Sequence, residues 1–308
     1  MNLHEEKDTF RDLVTATAET LGIEATIVEK DYYVTAVLKE LTSRIPDMVF
    51  KGGTSLSKCY RVIERFSEDI DISYTMESGK PGESRRRKLK KAVNESIEAI
   101  GLNIDNITDI RSRRDYNCYR APFTSLYSGF FAIDSVLIVE TYVALLPYPN
   151  QSKLVHNYIH DFLCKVDQED IAIKYDLKPF EITTQSIDRT FIDKVFAICD
   201  YYMDNKVDKH SRHLYDINKI YNSGSLSNND ELRKLITDVK ESRKILEVCP
   251  SAKDGISINE ILEEIVSTNA YEDDYGVITE RILFSPLEYS EAIKTIKEII
   301  NSGLFLDI

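Results

Sequence analysis

The stretch that most constrains this chain is Lys51–Tyr74, which reads KGGTSLSKCYRVIERFSEDIDISY. An apolar segment leads into the pair Gly52 and Gly53, which allows a tight turn and lets backbone N–H groups approach a ligand closely. The spacing of the apolar residues predicts one helix from Ser55 to Phe66. Because unpaired N–H groups and the helix dipole both favour negative charge, a glycine turn that leads into a helix is a candidate phosphate site.

The residues after this helix alternate between polar and apolar side chains, as in a strand with one open face. Every second side chain of a strand lies on the same face, so Asp69 and Asp71 are predicted to stand side by side, with Ser67 on the same face. Two such carboxylates repel each other unless a cation lies between them, and oxygen ligands beside phosphates suit Mg²⁺. The predicted triphosphate site consists of the turn residues and one hydroxyl: Gly52, Gly53, Thr54, Ser55 and Ser67.

A glycine-glycine-Ser/Thr turn, a helix and an Asp-x-Asp strand, in this order, resemble the DNA polymerase β-like nucleotidyltransferases. The strings KGGTSLSK, RFSEDIDIS and, upstream, EKDYYVTAVL are similar to the AbiEii/AbiGii toxin family of that superfamily. The resemblance covers roughly residues 25–220. It implies transfer of an NMP from an NTP to a hydroxyl with release of pyrophosphate. It also implies a toxin of a toxin–antitoxin or phage-defence pair, a tRNA 3′ end as acceptor in some members, and a separately encoded antitoxin.

A third carboxylate is expected from the β-branched stretch 131–146, which is typical of a strand and contains Glu140. A carboxylate inside a buried strand costs free energy unless it is paired or binds a metal. The superfamily places an acidic residue beside Asp-x-Asp, and Glu140 best matches that position. With Asp69 and Asp71 it would complete a site for a second metal ion. The alternative is that Glu140 reaches water or pairs with an arginine.

Two further site residues follow from the resemblance to the AbiEii-like family. A helix is predicted from Arg189 to about Met203, with Asp188 as its cap, and it carries Lys194 among apolar residues. The family implies that Lys194 neutralises triphosphate charge, and that Asp216 orients this lysine or acts on the attacking hydroxyl. From the residues alone a structural role is equally consistent, since a buried lysine stem can extend to water.

Basic residues near the Asp-x-Asp strand are candidate RNA contacts. They fall in two clusters: Arg85, Arg86, Arg87 and Lys88, then Arg113 and Arg114. Near a catalytic strand such clusters suit a polyanion, although a solvated charged helix face is equally consistent. The pair His156 and His160 could place two metal ligands on one helix face, but without a third ligand nearby zinc is not expected.

The composition bounds the remaining possibilities. The 308 residues have 43% hydrophobic and 30% charged content and a net charge of −13, which falls mostly after residue 150 and does not exclude an RNA substrate. No apolar run reaches membrane-spanning length, and five scattered cysteines favour a reducing cytoplasm.

The expected fold class is α/β. A polymerase β-like core with a mixed sheet, residues 1–150, precedes a mainly helical domain, residues 151–308, which contributes Lys194 and Asp216 to the site. Residues 171–183 are expected to form another strand. Two functional alternatives stay open: a nucleotidyltransferase acting on a small molecule or a protein, and a non-catalytic NTP-binding regulatory module.

Overall fold

The computed structural model describes residues 2–67, 69–74, 82–127, 135–306 and 308. The chain forms two compact units. The first comprises Met1–Cys59 and Ser67–Thr184, and the second comprises Tyr60–Phe66 and Gln185–Ile308. The division expected at residue 150 falls inside the first unit, at the start of a strand.

A six-stranded mixed sheet belongs to the first unit and confirms the expected α/β class. Its strands are β1 (Met48–Lys51), β2 (Ile70–Tyr74), β3 (Tyr116–Pro122), β4 (Val136–Tyr142), β5 (Asn150–Val155) and β6 (Phe180–Gln185). Their spatial order is β3-β4-β2-β1-β6-β5. β2 runs antiparallel to β1 and parallel to β4, while β3 is antiparallel to β4 and β6 is parallel to β1. The strand that contains Asp71 is therefore central, although it begins only at Ile70 and leaves Asp69, predicted to lie in it, just before its start.

The helices of the first unit are α1 (Lys7–Leu21), α2 (Ala25–Arg44), α3 (Gly52–Ser55), α4 (Glu83–Ala99), α5 (Tyr158–Lys165) and α6 (Glu169–Lys174). Helix α2 packs against α1, α4 and α5, and its apolar residues join those of β1, β2 and β4 in one core. The strand expected over 171–183 is confirmed only at its end, which lies in β6. Its first residues instead lie in α6, and a turn with Asp176 at φ 55° separates them from β6.

The helix predicted from Ser55 to Phe66 is wrong in its second half. Helix α3 continues as a π-helical turn, Leu56–Tyr60, and ends there. Arg61 then adopts a positive φ of 55°, which a continuing helix does not allow. The next residues leave the first unit, because Tyr60–Phe66 belongs to the second.

The second unit is helical in its described residues. It contains α7 (Ile187–Met203), α8 (Arg212–Asn222), α9 (Asn229–Lys244), α10 (Ile258–Thr268), α11 (Glu272–Asp274) and α12 (Tyr289–Asn301). Ser186, not Asp188, caps α7, because its side chain accepts the backbone N–H of Arg189. Asp188 instead accepts hydrogen bonds from the backbone and hydroxyl of Ser227. Across the described parts of the chain, no helix combines the length and the apolar content that crossing a membrane requires.

Candidate active site

The glycine turn lies against the central carboxylate of the sheet. Gly52 follows β1 with φ 77°, and Lys51 at the end of β1 is the antiparallel partner of Asp71 in β2. A Cβ atom added to Gly52 would lie 2.0 Å from Oδ2 of Asp71. Both the backbone angle and this close approach require glycine at the position. The turn thus places backbone, without a side chain, beside the carboxylate.

The hydroxyl groups of the predicted triphosphate site hold the turn together. Ser55 is fully buried, and its hydroxyl donates to the carbonyl of Gly52 at 2.8 Å. Thr54 is also buried, and its hydroxyl lies 3.0 Å from that of Ser67. These contacts tie the turn to the residues just before β2. The Ser55 hydroxyl is therefore engaged within the turn.

Asp71 and Glu140 are direct neighbours in the sheet, since parallel pairing of β2 and β4 puts their Cα atoms in register. Burial raises the pKa of Asp71 to about 7; Lys51 opposes this rise, whereas the charges of Glu140 and Asp69 and a hydrogen bond with Glu140 add to it. Asp69 lies immediately before β2. A carboxyl group held so close to two others keeps its proton at a pH where an isolated aspartate is ionised.

Glu140 is not buried in its strand, contrary to the reasoning that selected it. Buried and partly exposed residues alternate along β4, and Glu140 belongs to the partly exposed face. Tyr116 on β3 donates its hydroxyl to Oε1 of Glu140 at 2.6 Å, and Cys118 is the antiparallel partner of Glu140. Burial and the Glu140 carboxylate raise the pKa of both Tyr116 and Cys118. The sequence analysis missed the Tyr116 contact, because cross-strand register is needed to find it.

The donor set on this face fits Mg²⁺ by its chemistry. It offers carboxylate oxygens from Asp71 and Glu140, with the charge of Asp69 nearby, and Mg²⁺ in phosphate sites is bound through one or two carboxylates and the phosphates themselves. A divalent cation would also neutralise the repulsion that raises the pKa of Asp71. The residues present thus suit the metal expected from the sequence.

A second charged cluster lies wholly within the second unit and surrounds Asp216. The Asp216 side chain is fully buried on α8 and accepts two hydrogen bonds from Arg65, from Nε and Nη2, each at 2.7 Å. Nζ of Lys194 on α7 lies 2.5 Å from Oδ2 of the same carboxylate and 3.5 Å from Nδ1 of His213. Both cations are themselves buried. One carboxylate therefore pairs with two cationic side chains.

The pKa shifts in this second cluster differ in sign from that of Asp71. Burial alone would raise the pKa of Asp216, but Arg65 and Lys194 outweigh it and hold that pKa below its usual range. Burial lowers the pKa of Lys194, although Asp216 partly opposes the shift. Burial, Lys194 and Arg212 lower the pKa of His213 well below its usual range, which leaves its ring neutral.

Arg65 contacts the candidate site residue Asp216 but was not expected from the sequence. It was placed inside a predicted amphipathic helix, whereas it lies in an extended segment that pairs with Leu283. The backbone of this segment is held by further bonds, including Glu64 N–H to the Tyr215 hydroxyl at 3.0 Å. An arginine among apolar neighbours, immediately before the Asp-x-Asp strand, is the signal that could have found it.

The basic residues proposed as RNA contacts differ in their exposure and in their ion pairs with acidic side chains. Arg86 is the least exposed of them; it pairs with Asp115 at 2.7 Å and donates to the carbonyl of Arg114 at 2.9 Å. Arg87 and Arg113 both pair with Glu83 at the surface, and Arg85 pairs with Asp47. Lys88 and Arg114 are exposed. Arg86 thus has a structural role, and the others keep solvent-facing charge.

The structure brings together one group of the selected residues in each unit. Gly52, Asp71, Glu140 and the neighbouring turn residues Gly53, Thr54, Ser55, Ser67 and Asp69 belong to the first unit, whereas Lys194 and Asp216 meet in the second. Each group has a chemistry of its own: clustered carboxylates beside a glycine turn in the first, and a buried carboxylate with two cations in the second.

Comparison with solved structures identifies a shared fold. Among solved structures, MenT4, a nucleotidyltransferase toxin from Mycobacterium tuberculosis H37Rv, aligns with 96% of this chain and 90% of its own, at a TM-score of 0.57 and 19% identity, and so shares the fold. JHP933 from Helicobacter pylori aligns with 90% of this chain and 93% of its own, at a TM-score of 0.44 and 14% identity. No curated protein sequence matches.

The sequence itself matches a family of known activity. Residues 38–298 match the family described as nucleotidyl transferase AbiEii toxin, type IV TA system. This range contains the glycine turn, the carboxylates of the sheet and the Lys194–Asp216 pair. The chain is therefore a nucleotidyltransferase that belongs to the AbiEii toxin family of type IV toxin–antitoxin systems.

Proposed function

We propose that this toxin moves an NMP from an NTP to an RNA hydroxyl, with a tRNA 3′ end as the acceptor, in a reaction that depends on Mg²⁺. The observation that carries the proposal is the contact of the glycine turn with Asp71, which is paired in register with Glu140. A turn without a side chain leaves room for phosphate beside carboxylates whose mutual repulsion a divalent cation relieves.

Each residue of the first group has a distinct part in this proposal. Asp71 and Glu140, with Asp69, would hold Mg²⁺, which when bound stabilises negative charge on phosphate oxygens as a Lewis acid. Gly52 and Gly53 would present backbone N–H groups to the β- and γ-phosphates, together with Thr54 and Ser55. Tyr116 orients Glu140 through its hydrogen bond. Ser67 fixes the turn through Thr54.

Lys194 would supply the compact positive charge that a triphosphate requires, and Asp216 would orient it. Support comes from the ion pair of 2.5 Å, which fixes the ammonium group, and from Arg65, which holds the other side of the carboxylate. Arg65 and Lys194 therefore share the buried Asp216 carboxylate.

The RNA acceptor is supported by the charge that remains exposed near β2. Arg85, Arg87, Lys88, Arg113 and Arg114 are all solvent-facing, as RNA phosphate contacts must be. The family places a separately encoded antitoxin beside such a toxin. A cytoplasmic location, expected from the cysteine pattern, accords with five free cysteines.

The test uses purified protein, Mg²⁺, bulk tRNA and each α-labelled NTP in turn. We expect label on tRNA with one preferred NTP, and loss of that label in Asp71→Asn. Pyrophosphate release that requires a cell extract, without labelled tRNA, would replace tRNA by a protein or small-molecule acceptor. NTP binding without pyrophosphate release under either condition would contradict the proposed reaction.

A further inference from the structure

A second group of potential metal ligands lies in the first unit, at the junction of β5 and α5. His156 directly follows β5, and Asn157 caps α5 by accepting the backbone N–H of His160 at 2.8 Å. This cap bends the chain so that His156 lies beside the first turn of the helix, which carries His160 and Asp161. Sequence spacing gave only two ligands here, and the structure adds Asp161 as a third.

The ligand atoms of these three side chains converge. One nitrogen from each histidine and one carboxylate oxygen of Asp161 all lie within 4.8 Å of one another. Nδ1 of His156 is 3.2 Å from Oδ1 of Asp161, and the two imidazole rings are 5.0 Å apart between centroids. In a tetrahedral zinc site, bonds of about 2.0–2.2 Å to nitrogen and oxygen separate neighbouring ligand atoms by about 3.3–3.6 Å. Small side-chain rotations would complete such a site.

A thiol stands at the edge of the group. Sγ of Cys164, one helical turn after His160, lies 3.6 Å from Nε2 of that histidine, and Cys164 is exposed. A thiolate or a water molecule could therefore occupy the fourth position. Nitrogen, oxygen and sulfur donors together suit zinc-class ions, in contrast to the all-oxygen set of Asp71 and Glu140.

A helix cap and an ion pair explain only part of this arrangement. They account for His156, Asn157 and Asp161, whereas the His160 ring contacts both the His156 ring and the Cys164 thiol, two further potential ligands. All three ligand residues are partly exposed, with 13% of the His156 side chain accessible, which leaves an entry path for an ion.

We propose that His156, His160 and Asp161 form a binding site for a divalent transition metal of the zinc class, separate from the nucleotidyl-transfer site. The bound ion would fix the turn between β5 and α5. The carbonyl of His156 in this turn accepts a hydrogen bond of 3.5 Å from Lys58, in the π-helical turn that follows Gly52 and Gly53. Lys58 is itself paired with Asp31 at 2.5 Å. The ion would therefore stabilise the turn that Lys58 contacts, and through Lys58 it would help to hold the π-helical turn after Gly52 and Gly53.

The experiment titrates Zn²⁺ into untagged full-length protein by calorimetry, with a competing chelator, for the wild type and His160→Asn. We expect one zinc ion bound in the wild type and affinity at least about 100-fold weaker in His160→Asn, since one of three protein ligands is removed. His210→Asn is the matched control, because His210 lies in the second unit, and it should bind as the wild type does. Equal affinity in the wild type and His160→Asn would overturn the proposal.

Two further variants keep the result interpretable. Asp161→Asn should weaken zinc binding as His160→Asn does, and Cys164→Ser should retain it within about tenfold. Zinc binding that Cys164→Ser abolishes but His160→Asn does not would assign it to the thiol alone and overturn the proposal. Thermal unfolding supplies a second readout: zinc should raise the Tm of the wild type and of His210→Asn but not of His160→Asn.

Discussion

In the two charged clusters of this toxin, the pKa of the central carboxyl group is shifted in opposite directions. On the sheet, Asp71 stands beside Glu140, and burial and like charges raise its pKa to about 7. In the second unit, Asp216 is fully buried, yet two cations hold its pKa below the usual range. The second cluster is complete within the folded chain. The first becomes favourable only when a proton or a cation joins it, which is the property expected of a metal site.

The largest effect is expected from Asp71→Asn. Nucleotidyl transfer should fall by about 10³-fold or more, because the carboxylate that we propose as a ligand of the cation is lost. The free energy of unfolding without metal should not fall, since like-charge repulsion is removed. Activity is measured with labelled NTP and stability by urea unfolding. Asp109→Asn, at an exposed position, is the control. A variant that loses stability but keeps its specific activity would contradict the role assigned to Asp71.

Asp216→Asn, unlike Asp71→Asn, should lower the free energy of unfolding, by about 3–5 kcal/mol. The reason is that Arg65 and Lys194 would remain buried without a carboxylate. Lys194→Met should cost less stability, since Asp216 keeps the two hydrogen bonds from Arg65, but it should lower the transfer rate. Urea unfolding of the two variants checks this order. Equal stability losses would show that Arg65 does not satisfy Asp216 by itself.

Gly52→Ala tests the contact between the turn and Asp71. Its φ of 77° and the 2.0 Å approach to Oδ2 should cost stability by about 1–2 kcal/mol or more and displace the carboxylate, so activity should fall steeply. Gly101→Ala is a matched control, with φ 72° but nothing within 4 Å of the added Cβ. It should carry the backbone strain alone and keep full activity per folded molecule. Equal activity losses in the two variants would remove the steric argument.

The two clusters should also give opposite dependences of stability on pH. The folded-state pKa of Asp71 lies above its unfolded value of 3.8, so its contribution to stability without metal falls as the pH rises from about 4 to about 7. The folded-state pKa of Asp216 lies below 3.8, so its contribution is present above that pH and is lost as the pH falls further. Differences in Tm between the wild type and each Asp→Asn variant, measured across pH without metal, should follow these two trends. A parallel pH dependence for both would contradict the distinction.

The sequence was sufficient to predict the α/β class, the glycine turn, the strand that contains Asp71 and the helix that carries Lys194, because glycine turns, period-two alternation and helical periodicity are local signals. The family resemblance also selected Lys194 and Asp216, and the structure finds these two side chains paired at 2.5 Å. It failed where long-range contacts decide. Arg65 lies extended because it pairs with Asp216, some 150 residues later in the chain, and not in a helix.

The structure contradicts the reason for which Glu140 was selected, and its role in the site stays a proposal. The sequence argument assumed that its carboxylate is buried in a strand, whereas it lies on a partly exposed face and is held by Tyr116 from the neighbouring strand. Strand register is not encoded in either strand alone. The boundary between the units was likewise unpredictable, because the short segment Tyr60–Phe66 belongs to the second unit through tertiary contacts.

The most direct test of the central distinction is a titration of Mn²⁺, as a paramagnetic substitute for Mg²⁺, into the protein, with free Mn²⁺ followed by electron paramagnetic resonance. The wild type and Lys194→Met should bind the ion alike, whereas Asp71→Asn and Glu140→Gln should bind it at least about tenfold more weakly. Unchanged binding in Asp71→Asn and Glu140→Gln would contradict the assignment of the sheet carboxylates as the metal site.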